Sequence, residues 1–151
     1  MAVKKIRTFD DPILRQKSEP VEKIDFHIKK ILHDMTDTMR HAPNGGGLSA
    51  VQIGILLRLV VIDVGDGLIR LVNPVIVEKS GKRLVEEGCL SFPDVWGKVW
   101  RPERVTVKAL NQKGEEITIR AEGLLAQCLC HEIDHLDGIV FTDKVVMYVK
   151  D

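Results

Sequence analysis

What this 151-residue chain lacks narrows its reading first. It has no net charge, because 22 basic and 22 acidic residues cancel at pH 7. A general nucleic-acid binder needs a basic surplus to displace counterions from phosphates, so no direct nucleic-acid binding is expected. The balance is also local. Residues 1–75 carry 11 basic and 9 acidic groups and the remainder 11 and 13, so neither half is a basic arm or an acidic tail. Cysteine is scarce. Cys89, Cys128 and Cys130 are odd in number and cannot all pair within one chain. With no apolar leader segment, this leads us to expect a cytoplasmic protein in a reducing compartment rather than a disulfide scaffold. Long apolar runs are missing too. The most apolar stretch, Ile53 to Ile62, is interrupted by Arg58 and ended by Asp63, well short of the roughly 20 residues a membrane-spanning helix needs. Internal repeats and low-complexity linkers are absent, and the length suits one hydrophobic core, so we expect a single domain over residues 1–151.

What is present is an α+β pattern. Ile24, Ile28, Ile31, Leu32, Met35 and Met39 recur at three- and four-residue intervals, which predicts a helix over about Asp25–His41 with Asp25 as its cap. Pro43-Asn44-Gly45-Gly46-Gly47 ends it and opens a loop. Arg58–Asp63, Ile69–Val77, Val105–Leu110 and Glu115–Arg120 read as strands, the last two joined by the short Gly-containing turn Asn111–Gly114. A second helix is predicted over about Glu122–Leu136, with Gly138 as its left-handed stop. Leu124, Cys128, His131 and His135 share one of its faces, and Leu125, Leu129 and Leu136 cover the next. Few positions remain for water, so this helix should be central and buried, with antiparallel sheets packed around it.

That helix reads His131-Glu132-Ile133-Asp134-His135. Two imidazoles four residues apart project from one face and can grip one metal ion, with the intervening Glu132 placed to handle a proton of metal-activated water. Catalytic sites of this kind commonly take a third protein ligand. Cys89, in Glu87-Gly88-Cys89-Leu90-Ser91, is the stronger candidate. Cys128, one turn before His131, is the weaker one, and Cys130 points about 100° away. A third feature is Gly45-Gly46-Gly47-Leu48-Ser49-Ala50-Val51-Gln52, where glycines permit close backbone approach and Gln52 offers an amide donor. It is not a phosphate-cradling loop, because no Gly-Lys-Ser/Thr follows.

Together the three segments GGGLSAVQ (45–52), EGCLS (87–91) and HEIDH (131–135) resemble the peptide deformylase family. Asp11-Pro12-Ile13-Leu14-Arg15, Arg101-Pro102 and Leu136-Asp137-Gly138 extend the resemblance from about Asp10 to Lys144. It implies a cytosolic hydrolase of linear amides that removes the formyl group from the amino-terminal formyl-methionine of new polypeptides. Carried over by position, Cys89, His131 and His135 become ligands of one divalent ion. That ion is ferrous iron in most relatives, with zinc or nickel as replacements. Glu132 becomes the general acid/base, and Gln52 and the Leu90 N–H become oxyanion donors. Gly46, Gly47, Glu87, Leu124 and Cys128 become lining of the methionine site, and Trp96 is a candidate to flank the cleft. The implied partners are nascent formyl-methionine chains and, transiently, the ribosome, for a monomer that touches no membrane.

Two departures stand out. Similar sequences usually carry alanine at Ser49 and glutamine at Cys130. Many also have a longer charged carboxy-terminal helix, where Val145, Val146, Met147 and Val149 here read as a short strand. The remaining histidines, His27, His33 and His41, lie mostly off the apolar stripe of the first helix and are expected in solvent.

Overall fold

The stripe from Ile28 to Met39 demands an apolar surface to cover it, and in the computed structural model, which describes residues 2–149, it finds one. Helix α1 runs Phe26–His41, and the Asp25 side chain accepts the Ile28 N–H at 3.1 Å. Ile28, Ile31, Leu32, Met35 and Met39 pack on Leu48, Leu59, Val61 and Val72. The domain expected over 1–151 includes Met1, Lys150 and Asp151, which lie outside the described residues.

Among the described residues, eight strands form two antiparallel sheets. The larger holds β1 (Gly47–Ser49), β2 (Leu59–Ile62), β3 (Ile69–Ser80), β6 (Arg104–Leu110) and β7 (Glu116–Glu122) in the order β1-β2-β3-β6-β7. The smaller holds β4 (Arg83–Cys89), β5 (Phe92–Arg101) and β8 (Val145–Tyr148) in the order β4-β5-β8. Strand β2 explains the run Leu59-Val60-Val61-Ile62. Alternate side chains point to opposite faces of a sheet. Leu59 and Val61 face the α1 core, while Val60 and Ile62 join a second core with Leu71, Val107, Leu129 and Ile133. Both faces are buried, so the strand is apolar throughout, as strands covered on both sides are. Strand β3 bends at irregularities between Val72 and Glu78. There Asn73, in the left-handed region, clamps Val21 by accepting its N–H and donating to its carbonyl, both at 2.8 Å.

The second core belongs to helix α2 (Gly123–Leu136), which lies between the large sheet and the small one. Its buried residues include Ala126, Leu129, Cys130, His131, Glu132, Ile133, His135 and Leu136. The expected buried helix inside antiparallel sheets is therefore the observed architecture.

Two local expectations change. The segment expected as a loop after Gly45 is strand β1 followed by a 3-10 turn over Ala50–Ile53. Pairing of Gly47, Leu48 and Ser49 with Ile62, Val61 and Val60 creates the strand, and that partner lies too far along the chain to be read locally. Leu124 shares the helix face expected to be buried but is 59% exposed, because it sits in the first turn, at the end of the helix nearest solvent.

Gly138 ends α2 with φ +75°, a region that side chains disfavour, and a Cβ there would sit 2.6 Å from the Arg15 carbonyl oxygen. Gly138→Ala should cost roughly 1–3 kcal/mol, read as a lower urea midpoint with an unchanged slope.

Candidate metal centre

The four-residue spacing of His131 and His135 places both rings on one face of α2, and the β4–β5 hairpin brings Cys89 to them. The Cys89 sulfur and one ring nitrogen from each histidine lie within 4.8 Å of one another. Cys89 Sγ is 3.3 Å from His135 Nε2, close to the ~3.5 Å that a sulfur and a nitrogen ligand of one tetrahedral first-row ion would span. A thiol and two imidazoles converging in a buried place fit such an ion chemically. Burial, with His131 and Arg101 nearby, holds His135 well below its ordinary pKa, so its ring is neutral. Cys128 lies outside this cluster, and burial with the Glu132 and Glu87 charges pushes its thiol well above its usual pKa.

The rings are held from behind. His131 Nδ1 meets Glu87 Oε1, and against a carboxylate that nitrogen carries the hydrogen, which turns Nε2 toward the cluster. Glu87 also accepts from Arg101 Nε at 3.0 Å and Nη2 at 2.5 Å, and from Gln127 Nε2 at 3.2 Å. Arg101 Nη1 donates to Asp134 of α2 at 2.8 Å, and Lys144 adds a second cation to Asp134 at 3.2 Å. Burial alone would raise the Glu87 carboxyl, but hydrogen bonds from His131 and Arg101 outweigh it and hold it at about 2.

Glu132 is buried one residue beyond His131. Burial raises its pKa, and the charge of His131 and the hydroxyl of Ser49 offset only part of this. Its Oε1 lies 3.0 Å from Ser49 Oγ. Gly47 must be glycine at this point, because a Cβ would come within 2.8 Å of Glu132 Oε2 and 2.9 Å of Cys128 Sγ. Gln52, fully buried, accepts the Ser49 N–H at 2.9 Å and turns Nε2 toward Ser91 Oγ at 3.0 Å and Cys89 Sγ at 3.6 Å.

A cavity of about 920 Å³ opens onto this floor. Gly46, Gly47, Glu87, Leu124 and Cys128 all line it, as do Leu90, His131, Glu132 and Trp96. Gln52 and His135 stand behind the wall. Glu87 borders the cavity, and its carboxylate is engaged by Arg101 and His131.

The family profile described as polypeptide deformylase matches residues 3–150. "Peptide deformylase 2" of Clostridium acetobutylicum is 57% identical over 99% of this chain and 100% of that one. A peptide deformylase of Caldicellulosiruptor bescii is 56% identical over 100% of this chain and 90% of that one. This chain belongs to the polypeptide deformylase family. The crystal structure of the Thermotoga maritima deformylase superposes with a TM-score of 0.93 at 40% identity, covering 96% and 99% of the two chains. The Ehrlichia chaffeensis deformylase, crystallised in complex with actinonin, gives 0.93 at 42% identity over 96% and 90%.

Three polar residues of this deformylase-family site carried no functional reading in the sequence. Arg101 was visible only as context before Pro102, yet it lies on the inward face of β5 with Gly97 and Val99 while Trp96 and Trp100 lie outward. A charge at an inward position of an alternating strand is the signal that marks it. Ser49, which looked like one small residue in place of another, touches Glu132. Ser91 reaches Gln52 only through the hairpin geometry.

A lowered carboxyl pKa adds stability that is complete above the unfolded value and disappears as pH falls through the folded one. For Glu87 that window runs from 4.5 down to about 2. Metal-free Glu87→Gln should be less stable than the metal-free parent at neutral pH by about 3 kcal/mol. Urea titrations should show the difference shrinking across that window.

Proposed function

We propose that this chain is a metal-dependent amide hydrolase that removes the formyl group from amino-terminal formyl-methionine of newly made polypeptides and releases formate. The observation that carries this reading is the Cys89, His131 and His135 cluster, of which Cys89 and His131 border one cavity together with the buried Glu132. Cys89, His131 and His135 would hold one divalent ion. Thiolate and imidazole suit iron, zinc and nickel alike, and ferrous iron is the metal we assign from the family. When bound, the ion supplies Lewis acidity, drawing the pKa of a water from about 15.7 toward roughly 7 and polarising a carbonyl oxygen.

The remaining steps belong to the chain's own residues. Glu132, with its pKa raised by burial, takes a proton from the attacking water and returns it to the departing amine nitrogen. The Leu90 N–H, at the cavity wall, and Gln52 Nε2, just behind it, are the donors assigned to the developing oxyanion. Removal of one such donor typically raises a barrier by about 2.7–4 kcal/mol. Gly46, Gly47, Leu124 and the neutral Cys128 thiol supply a wall for the methionine side chain. Glu87 orients His131, and Arg101 holds Glu87 in place. No helix among the described residues is long and apolar enough to cross a membrane. We assign a cytoplasmic monomer that meets nascent chains with at most a transient ribosome contact. The zero net charge confines any such contact to a local patch.

Anaerobically purified protein should hydrolyse a formyl-methionyl peptide and leave the unformylated peptide intact. Cleavage of the unformylated peptide would instead identify a peptidase. Glu132→Gln should keep its metal and lose kcat by about 10²–10⁴, and a rate near that of the parent would remove Glu132 from this role. Cys89→Ala should lose the metal by elemental analysis. Chelation of the parent should abolish turnover, with ferrous iron restoring it.

A further inference from the structure

The two oxygens of the Glu132 carboxylate stand in different surroundings. Oε1 lies 3.0 Å from the Ser49 hydroxyl. Oε2 faces Gly47, where only the missing Cβ leaves it room. Among the described residues no donor reaches Oε2, and Glu132 itself lines the cavity. Ser49 Oγ also lies 2.7 Å from the main-chain oxygen of Glu132. A hydroxyl carries one hydrogen, so it donates to either the carbonyl or the carboxylate at any moment. The ionised carboxylate is the stronger acceptor. Ser49 is 0% exposed and Glu132 4%, which keeps bulk water from competing for the contact. The N–H of the same residue holds Gln52 Oε1 at 2.9 Å. A backbone N–H is available from any residue at position 49 except proline, whereas the contact to Glu132 requires a side-chain hydroxyl.

We propose that Ser49 is a positioning residue for Glu132. Its hydroxyl tethers Oε1, fixes the rotation of the carboxylate and leaves Oε2 as the oxygen turned to the cavity. The terminal torsion of a glutamate is otherwise broad, and an untethered carboxylate presents its reactive oxygen for only part of the time. The proposal rests on the deformylase reading of Glu132, so one test needs turnover and the other does not.

Ser49→Ala should lower kcat on a formyl-methionyl peptide roughly tenfold. KM and metal content should be unchanged, and the thermal midpoint should stay close to that of the parent. An unchanged kcat overturns the proposal. A fall in kcat together with a raised KM or lost metal also overturns it, because damaged packing acts that way. A neutron structure of the unaltered protein decides the geometry independently. Deuterium on Ser49 Oγ directed at Glu132 Oε1 supports the tether, and deuterium directed at the main-chain oxygen overturns it. Absence of turnover in the unaltered protein would overturn the proposed function, with the neutron result still judging Ser49.

Discussion

Arg101 lies 2% exposed at the inward end of β5, and a guanidinium so placed must find acceptors on every side. It finds two. Glu87 on β4 takes a paired contact, and Asp134 on α2 takes the third. That single cation therefore ties the small sheet to the helix that carries the histidines. Glu87, once fixed by Arg101, fixes the His131 ring in turn. Gln127 of α2 adds a second tie to the same strand, donating to Glu87 and to the Glu86 carbonyl.

The same constraint runs through the rest of the site. A helix buried between two sheets has little water to satisfy its polar groups, so most of them find a protein partner, while the buried His135 Nδ1 has none among the described residues. His131 has Glu87, and Glu132 has Ser49. The Nε2 atom of His135 is left facing the Cys89 sulfur. What remains uncommitted on the cavity side is one Glu132 carboxylate oxygen, beside the Cys89, His131 and His135 group that could hold a metal ion. Burial pushes both the Cys128 thiol and the Glu132 carboxyl up from their ordinary pKa values.

Much of the fold was legible because it is periodic. The stripe on α1, the apolar run of β2 and the hairpin from Val105 to Arg120 carry their geometry in their spacing. The histidine pair was legible for the same reason, since four residues along a helix return to one face. Strand β1 and the long β4–β5 hairpin were not. The first is three residues long and exists only because β2 lies beside it, and the second carries glycines, charges and tryptophans that break a clean alternation.

The sequence by itself determined the chemical alphabet of the site: which residues could bind a metal, which could carry a proton, and which helix face would present them. Local spacing decides these matters, and local spacing is written in the order of residues. Only the tertiary structure decided how closely Cys89, named from its motif, approaches the histidines, what holds Glu87, and which oxygen of Glu132 lies beside Ser49. Cys89 and His135 are 46 residues apart, and Ser49 and Glu132 are 83. Contacts over such distances depend on how two sheets close on a helix, a global packing outcome that no local pattern encodes.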